Sequence, residues 1–532
     1  MDNNKRGSYH QIRDQYYYIE ISLYNQIEGQ EPLYVPFFFV DSITIHESLY
    51  NWITKGEIVF NSDFEIFARG GDNKKSDEKA KVPYIDRTDG RNRLSVIIYP
   101  VDASIDSGVI KENIDSSDKF PKKYWEINHD FVVMNIEDLP VNNSQRKKKR
   151  YIFVDERYQI LKEKNLEWSS ATIASKKLNK PAKSLKDSEA AINPCEALKE
   201  LLKIASTNGD AMPKIKIGFN KNGSIDKPNI DLDKINEWDV GKTENLCVLY
   251  PDANTTALDD IFYILSHCVS SNGFPVILDY GRSSEDKGWH LICFSDYFKN
   301  STKEQVEWMI IEDGLTNSLP YRPRASMEDK SQIHNFTSLV ASRITSYQFS
   351  PMVAVDDNRL LNSPYCFFNE HTGSFEIKKE ENSINKLIEK LQEMAKKGLY
   401  SFSENKREKP QIVLNANKTK TEGQMSKNKL ALNGPYSSHS SPLMQMLLDS
   451  VFLNQSLSFQ SPGLTIRTPG KFIAIEKVGS FYEKNAFDDR FLGQWMMTNV
   501  SHLFTQGEYV TQVVANKIDM FSEHSPTKDD NY

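Results

Sequence analysis

The stretch "QWMMTNVSHLFTQGEYVTQVVANKID", residues 494–519, decides how this chain is read. Apolar residues recur on both sides of a Gln506-Gly507 break, which predicts two antiparallel strands around a turn at Gly507. The stretch holds a Trp, two Met, a Phe and a Tyr. It holds no cysteine, no paired carboxylates and no glycine-rich phosphate loop. Residues of this kind build a wall rather than a reaction centre.

An echo of the pattern lies near the other end of the chain. "FVVMNIEDL" (131–139) aligns without gaps on "WMMTNVSHL" (495–503). Phe131 meets Trp495, Val132 and Val133 meet Met496 and Met497, Asn135 meets Asn499, Ile136 meets Val500, and Leu139 meets Leu503. A polar turn and a second β-rich strand follow each segment, "RYIFV" (150–154) or "EYVTQVV" (508–514). Chance between two amphipathic strands and a duplication both yield such a match; sheet-like segments at both ends of the chain favour duplication. A duplication requires Asn135 and Asn499 to be equivalent and the paired apolar residues to share a face, because a one-residue slip turns every side chain over. Hairpins at the loop 146–149 and at Gly507 then join each strand to its partner, Tyr151–Val154 or Tyr509–Val514.

The segments around the echo fit sheets. In "YYYIEISLY" (16–24) Ile19, Ile21 and Leu23 alternate with Tyr18, Glu20, Ser22 and Tyr24. Ile43 and Ile45 point one way in the next strand. Ile58 and Phe60 close another after Gly56, and "NRLSVIIYPVD" (92–102) adds one more. The middle of the chain is mixed. Asn193 and Pro194 open a helix lined by Leu198, Leu201, Leu202 and Ala205. A second helix runs from about Thr256 with Leu258, Ile261, Phe262, Leu265 and Val269, and Gly273 stops it. Strands resume near residue 340. Ser383 caps a helix with Ile384, Leu387, Ile388, Leu391 and Met394, and Ser441-Pro442 starts another. Residues 71–82, 169–190 and 402–430 are polar insertions. The second is expected to be loose, and the third lacks the apolar side chains that offset ordering entropy.

A chain of 532 residues exceeds what one core organises, so roughly three or four domains are expected. The expected fold is α+β and β-rich: two antiparallel β-barrel or sheet domains, an intervening α/β domain, and helical and loop insertions. The bounds are 1–165 for the first β-domain and 166–335 for the α/β domain. Residues 336–382 and 455–520 form the two parts of the second β-domain, 383–454 a helical insertion, and 521–532 a tail.

Chemistry is sparse. A net charge of −7 opposes a dedicated nucleic-acid binder, which would be basic. The five cysteines, at 195, 247, 268, 293 and 366, form no C-x-x-C, which fits reduced buried thiols better than a disulfide framework or a zinc site. The polar start "MDNNKRGSYHQIRDQYYY" has no apolar signal region, and no apolar run approaches the length of a membrane span. No H-E-x-x-H, G-x-S-x-G or phosphate-loop motif occurs. "FNKNGSID" (219–226) lacks the first and last carboxylates of a calcium loop and reads as an Asn-Gly turn. His267 beside Cys268 is too little for a metal site. Glu137 and Asp138 are adjacent on a strand and point to opposite faces, so they do not converge as an acid/base pair. "RKKKR" (146–150) reads as a solvated hairpin tip, or as a nuclear signal, phosphate clamp or acidic-partner surface. No catalytic, cofactor-binding or metal-binding residue is expected, and no enzyme.

The chain resembles the baseplate hub proteins of contractile-tailed bacteriophages. The residues that carry this are "ITIHESLYNWITKGEIVF" (43–60), "PDANTTALDDIFYILSHCVSSNGF" (251–274), "SPGLTIRTPGKFIAI" (461–475) and the closing hairpin. The polar insertions depart from that pattern. The resemblance implies two tail-tube-like β-domains per chain and a homotrimer, giving a pseudo-sixfold ring between a central spike and a sixfold tail tube. It implies as partners the spike protein, the tail tube protein, a tape-measure protein and surrounding wedge proteins. DNA would pass through only as cargo, without stable membrane insertion. The implied location is the virion tail baseplate, assembled in the host cytoplasm. The rival readings are a glycan- or receptor-binding tail module and a cell-wall hydrolase.

Overall fold

The alternation of Ile19, Ile21 and Leu23 does what it predicts, and each of these side chains is buried. The computed structural model describes residues 7–13, 15–25, 32–61, 92–101, 103–104, 109–110, 125–140, 147–163, 170–185, 194–205, 216–217, 246–248, 255–267, 276–284, 288–293, 306–311, 343–349, 365–369, 374–378, 413–415, 431–433, 455–477 and 493–517.

The first part of the chain forms β1 (Ser8–Ile12), β2 (Gln15–Asn25), β3 (Leu33–Tyr34), β4 (Val40–Ser48), β5 (Lys55–Phe60) and β6 (Asn92–Val101). A small pair, β7 (Ala103–Ser104) and β8 (Val109–Ile110), precedes the long hairpin β9 (Ile127–Pro140) and β10 (Lys147–Asp155). The middle part carries α1 (Glu156–Glu163), α2 (Ser170–Leu178), α3 (Pro194–Ala205), β11 (Lys216–Ile217) and β12 (Leu246–Val248). After these come α4 (Ala257–His267), β13 (Val276–Gly281), β14 (Gly288–Cys293) and β15 (Val306–Ile311). The last part carries β16 (Arg343–Phe349), β17 (Tyr365–Asn369), β18 (Ser374–Lys378), β19 (Val413–Asn415) and β20 (Ala431–Asn433). It ends with β21 (Gln455–Pro462), β22 (Phe472–Lys477), β23 (Gly493–Thr505) and β24 (Tyr509–Lys517).

The fold is β-rich, and one curled sheet takes strands from all three parts. Its order is β1-β2-β6-β9-β10-β5-β4-β23-β24-β21-β16, with β22 on β23 and β15 on β22. Every pair along the main path is antiparallel; β15 and β22 run parallel. The curl encloses a core that includes Ile21, Ile43, Ile58, Val96, Phe131 and Phe153. A separate cluster, including Phe459, Ile473, Trp495 and Val513, fills the last part. A third lies where α1, α3 and α4 meet the other face of the β9–β10 hairpin through Val132 and Val154, together with Trp52 and Trp289.

Local signals explain the helix starts. Pro194 opens α3, where a missing N–H costs nothing, and Leu198, Leu201 and Leu202 form its buried stripe. Before α4, Thr256 Oγ1 accepts from the Asp259 amide at 3.2 Å and Asp259 Oδ2 accepts from the Thr256 amide at 3.0 Å, a reciprocal cap.

Three expectations are corrected. Residues 169–190 are not uniformly loose, because 170–178 form α2, whose Ala174 is buried in the helical cluster and whose last turn carries Lys176 and Lys177. In the polar run 402–430, Val413–Asn415 form β19, parallel to β17. The basic run is strand rather than loop from Lys147, because acidic neighbours in the same sheet pair its charges: Lys148 meets Asp41, and Arg150 meets Glu137 and Glu57. The 71–82 insertion, the Asn-Gly turn at 219–226, the helices expected from Ser383 and from Ser441, and the tail 521–532 lie outside the described residues.

Candidate functional site: a seam between two matched sheets

The two echoing segments fall on β9 and β23 and pair with their hairpin partners in one register. On β9, Ile136 faces Tyr151, Asn135 faces Ile152, Val133 faces Phe153 and Val132 faces Val154. On β23, Val500 faces Val513, Asn499 faces Val514, Met497 faces Ala515 and Met496 faces Asn516. Each strand slips its register once, at Met134 and at Thr498, which are equivalent positions in the alignment. A β-bulge seldom recurs at one position by accident, because it inserts a residue and re-aims everything after it.

The match extends outward on both sides. Leu94 of β6 faces Phe131, and Ile473 of β22 faces Trp495. Ile58 of β5 faces Tyr151, and Phe459 of β21 faces Val513. β4 then lies on β5 as β16 lies on β21, and the chain visits the five strands of each set in the same order. The bulges on β4 and β16 fall at different places, after Val40 and after Ile344. The outer neighbours also differ, β2 being antiparallel to β6 and β15 parallel to β22.

The two sets meet where β4 lies antiparallel on the second half of β23, from Ser48 opposite Asn499 to Ser42 opposite Thr505. The Leu49 amide donates to the Thr498 carbonyl at 2.8 Å, and His46 Nδ1 lies 2.7 Å from Ser501 Oγ across the seam. At the far end Gln506 Nε2 donates to the Phe38 carbonyl at 2.7 Å, and Arg13 pairs with Glu508. The tip of the closing hairpin enters the first set's core. Phe504 and Tyr509 stack with centroids 3.8 Å apart, and Tyr17 meets Tyr509 edge-on at 5.6 Å. Phe504 and Tyr509 therefore serve the join, while Trp495 fills the last part's own cluster.

A buried ionic cluster sits on the seam. Glu47, on the face of β4 that carries Ile43 and Ile45, accepts from Arg282 Nη1 at 3.1 and 2.9 Å. His129 Nε2 of β9 lies 3.3 Å from one carboxylate oxygen, and His502 Nε2 of β23 lies 3.6 Å from the other. Arg282 Nη2 donates to the Thr465 carbonyl, and the Arg282 carbonyl accepts from the Asn128 amide at 2.9 Å. Ser284 donates its amide and hydroxyl to Glu126 Oε2, both at 2.6 Å, which fixes the exit of β13 against β9. One arginine from the middle part thus holds both matched sheets.

The electrostatics follow from burial. Desolvation by itself would raise the Glu47 pKa, but Arg282, the hydrogen bond from His129 and the nearby His502 ring hold it well below the usual carboxylate range. Burial pushes His502 down, against the pull of Glu47, and Arg282 and Arg467 lower it further. Burial also pushes the Tyr509 phenol well up; its hydroxyl lies 2.7 Å from His502 Nδ1, and the other ring nitrogen, Nε2, faces the carboxylate. A carboxylate already saturated by a guanidinium is a poor base, and an arginine stands where a metal would. Among the described residues no group of three or more His, Cys, Asp and Glu side chains could hold a metal ion.

Sequence reasoning singled out none of Glu47, His129, Arg282 or His502. The pair Glu137 and Asp138 lies on β9, where Glu137 accepts from Arg150 Nε at 2.9 Å. His267 lies on α4. No helix of the described residues is long and apolar enough to cross a membrane.

No family model matches the chain, and no curated relative does. Solved structures that it resembles include a tail protein from Neisseria meningitidis MC58, at TM-score 0.43 and 8% identity over 94% of this chain and 97% of that one. The 43 kDa tail protein of prophage MuSo2 from Shewanella oneidensis gives TM-score 0.37 and 8% identity over 94% and 98%. The E. coli c3393 protein, a type VI secretion component described as similar to T4 tail proteins gp27 and gp5, gives TM-score 0.34 and 8% identity over 94% and 79%.

Proposed function

We propose that the chain is a structural hub of a phage tail baseplate. Three copies would form a pseudo-sixfold ring that joins a central spike to the tail tube and leaves a channel for DNA. The observation that carries this reading is the shared register of β6-β9-β10-β5 and β22-β23-β24-β21, joined edge to edge by β4 and β23. Two similar units per chain are what a threefold assembly needs to meet a sixfold tube, each unit standing about 60° from the next. The first unit would span residues 1–165. The second would be assembled from 336–382 and 455–520, with 166–335 and 383–454 as the intervening and inserted parts. A net charge of −7 suits a wall past which DNA slides without sticking. Spike and tube proteins would be the direct partners, with tape-measure and wedge proteins around them.

The reading is tested by mass measurement and class averages of the full chain. A trimer with six similar lobes around a central hole supports it. A monomer, or a ring of another order, overturns it. Hydrolysis of peptidoglycan by the pure chain, lost on changing one acidic residue, would overturn the non-enzymatic part.

A further inference from the structure

The seam inside the chain uses one edge from each matched set, and the complementary two edges remain. β4 covers β23 from Asn499 to Thr505. On β9, β6 reaches only to Val132, and from Asn135 onward the strand pairing is with β10 alone among the described residues. β16, the counterpart of β4, pairs with β21 alone among the described residues and ends the sheet.

Burial follows this difference. Val500 and His502 are both 0% exposed beneath the seam. Their counterparts on β9, Ile136 and Asp138, are half-buried and exposed, and Met134 at the bulge is 47% exposed. An edge of this kind is a template for another strand.

We propose that β16 of one copy lies antiparallel on the second half of β9 of another copy, in the register that β4 uses on β23. This rests on the ring reading above and deepens it by naming the seam between copies. The register follows from the matched pairs. Ile58 and Phe459 are equivalent, so Gly56 matches Leu457, and Ile45 and Tyr347, which face them, match each other. His46 then matches Gln348, and Ser501 matches Glu137. The internal pair His46–Ser501 therefore predicts Gln348 opposite Glu137 across copies, and Thr44–Leu503 predicts Ser346 opposite Leu139. Among the described residues each chain has one such edge of each kind, which makes the contact head-to-tail, and such a contact closes into a ring when the rotation allows.

The test is disulfide trapping in the full chain with its native cysteines kept. Because His46 and Ser501 touch, cysteines at their counterparts come within bonding reach. Glu137→Cys with Gln348→Cys should give covalent oligomers on mild oxidation, while either single variant should not. Glu137→Cys with Ser346→Cys is displaced by two residues, about 7 Å along the strand, beyond disulfide reach. A thermal melt of each variant matched to the parent excludes misfolding as the cause of a negative result. Efficient trapping of the displaced pair, or of neither pair in a ring proven by mass, overturns the seam and leaves the ring reading intact. A chain that stays monomeric at its solubility limit and traps nothing overturns both.

Discussion

The β9–β10 and β23–β24 hairpins share a backbone and differ in what leans on them. Four paired positions and a bulge coincide, yet the second half of β23 is roofed by β4 and that of β9 pairs, among the described residues, with β10 alone. The side chains have adapted on each side of the same plan. Phe153 faces Gly56 in the first set, and Ala515 faces Leu457 in the second. Bulk sits on one strand in one copy and on the neighbouring strand in the other, so the same space is filled. Gly56 is obligatory in its copy, because a Cβ there would lie 2.0 Å from the Thr44 carbonyl oxygen and 2.9 Å from the Phe153 ring. Backbone plan and core volume are thus separable, and a duplicated sheet can keep the first while redistributing the second.

The sharpest way to break the comparison is at the seam's cluster. Glu47→Ala leaves the part-buried Arg282 and the buried His129 and His502 without their carboxylate, and unfolding in urea should show a loss of about 3–5 kcal/mol. A loss below about 1 kcal/mol would mean that the cluster is solvated. Next, Leu457→Gly should cost about 2–5 kcal/mol, and adding Ala515→Phe should recover about 1–3 kcal/mol through coupling across the pair. No recovery would show that the Gly56–Phe153 arrangement does not transfer between the copies. Third, His502→Ala should cost about 1–3 kcal/mol. Its counterpart Asp138→Ala, at an exposed position on β9, should cost less than His502→Ala in the isolated chain. Equal effects would remove the distinction between covered and open edges.

The smallest effect is a pH dependence. His502 titrates below its ordinary 6.5 in the folded chain, so the unfolded chain takes up the proton first. Its contribution is complete above pH 6.5 and is lost as pH falls through the folded value, by about 1.4 kcal/mol per unit of difference. The urea midpoints of the parent and His502→Gln should therefore converge from pH 7.5 toward pH 5. Glu47, also lowered, acts in the same direction but only below 4.5. Midpoints that stay parallel over this range would show that His502 does not titrate between the two states.

Much of the wall was legible from alternation alone, because each strand with one buried face writes its period into the sequence. β2, β4, β5, β6 and the closing hairpin all came from that signal. The helix from Pro194 was legible from its first residue and apolar stripe. The cluster carried a signal that went unread. Glu47 follows Ile43 and Ile45 in register, His129 sits between Ile127 and Phe131, and His502 between Val500 and Phe504. Each is a polar residue at a core-facing position, which asks for a buried partner. That partner, Arg282, lies 235 residues from Glu47, and nothing local announces it. α2 was missed because it lies in a Ser-, Lys- and Ala-rich run with few large apolar residues, and the buried Ala174 with the partly buried Ile173 anchors it. The parallel approach of β15 to β22 is a matter of long-range topology and leaves no local trace.

The paired bulges have a geometric consequence. An added residue on one strand makes that strand longer than its neighbour, so the sheet must bend there, as a wedge-shaped stone bends an arch. Met134 and Thr498 set this wedge at the same height in both copies. The bend of any cylinder built from these sheets at this height therefore depends on one surplus residue per set, whereas the bulges of β4 and β16 fall at different heights. Trimming both would flatten the wall while leaving every apolar side chain that lines it in the sequence.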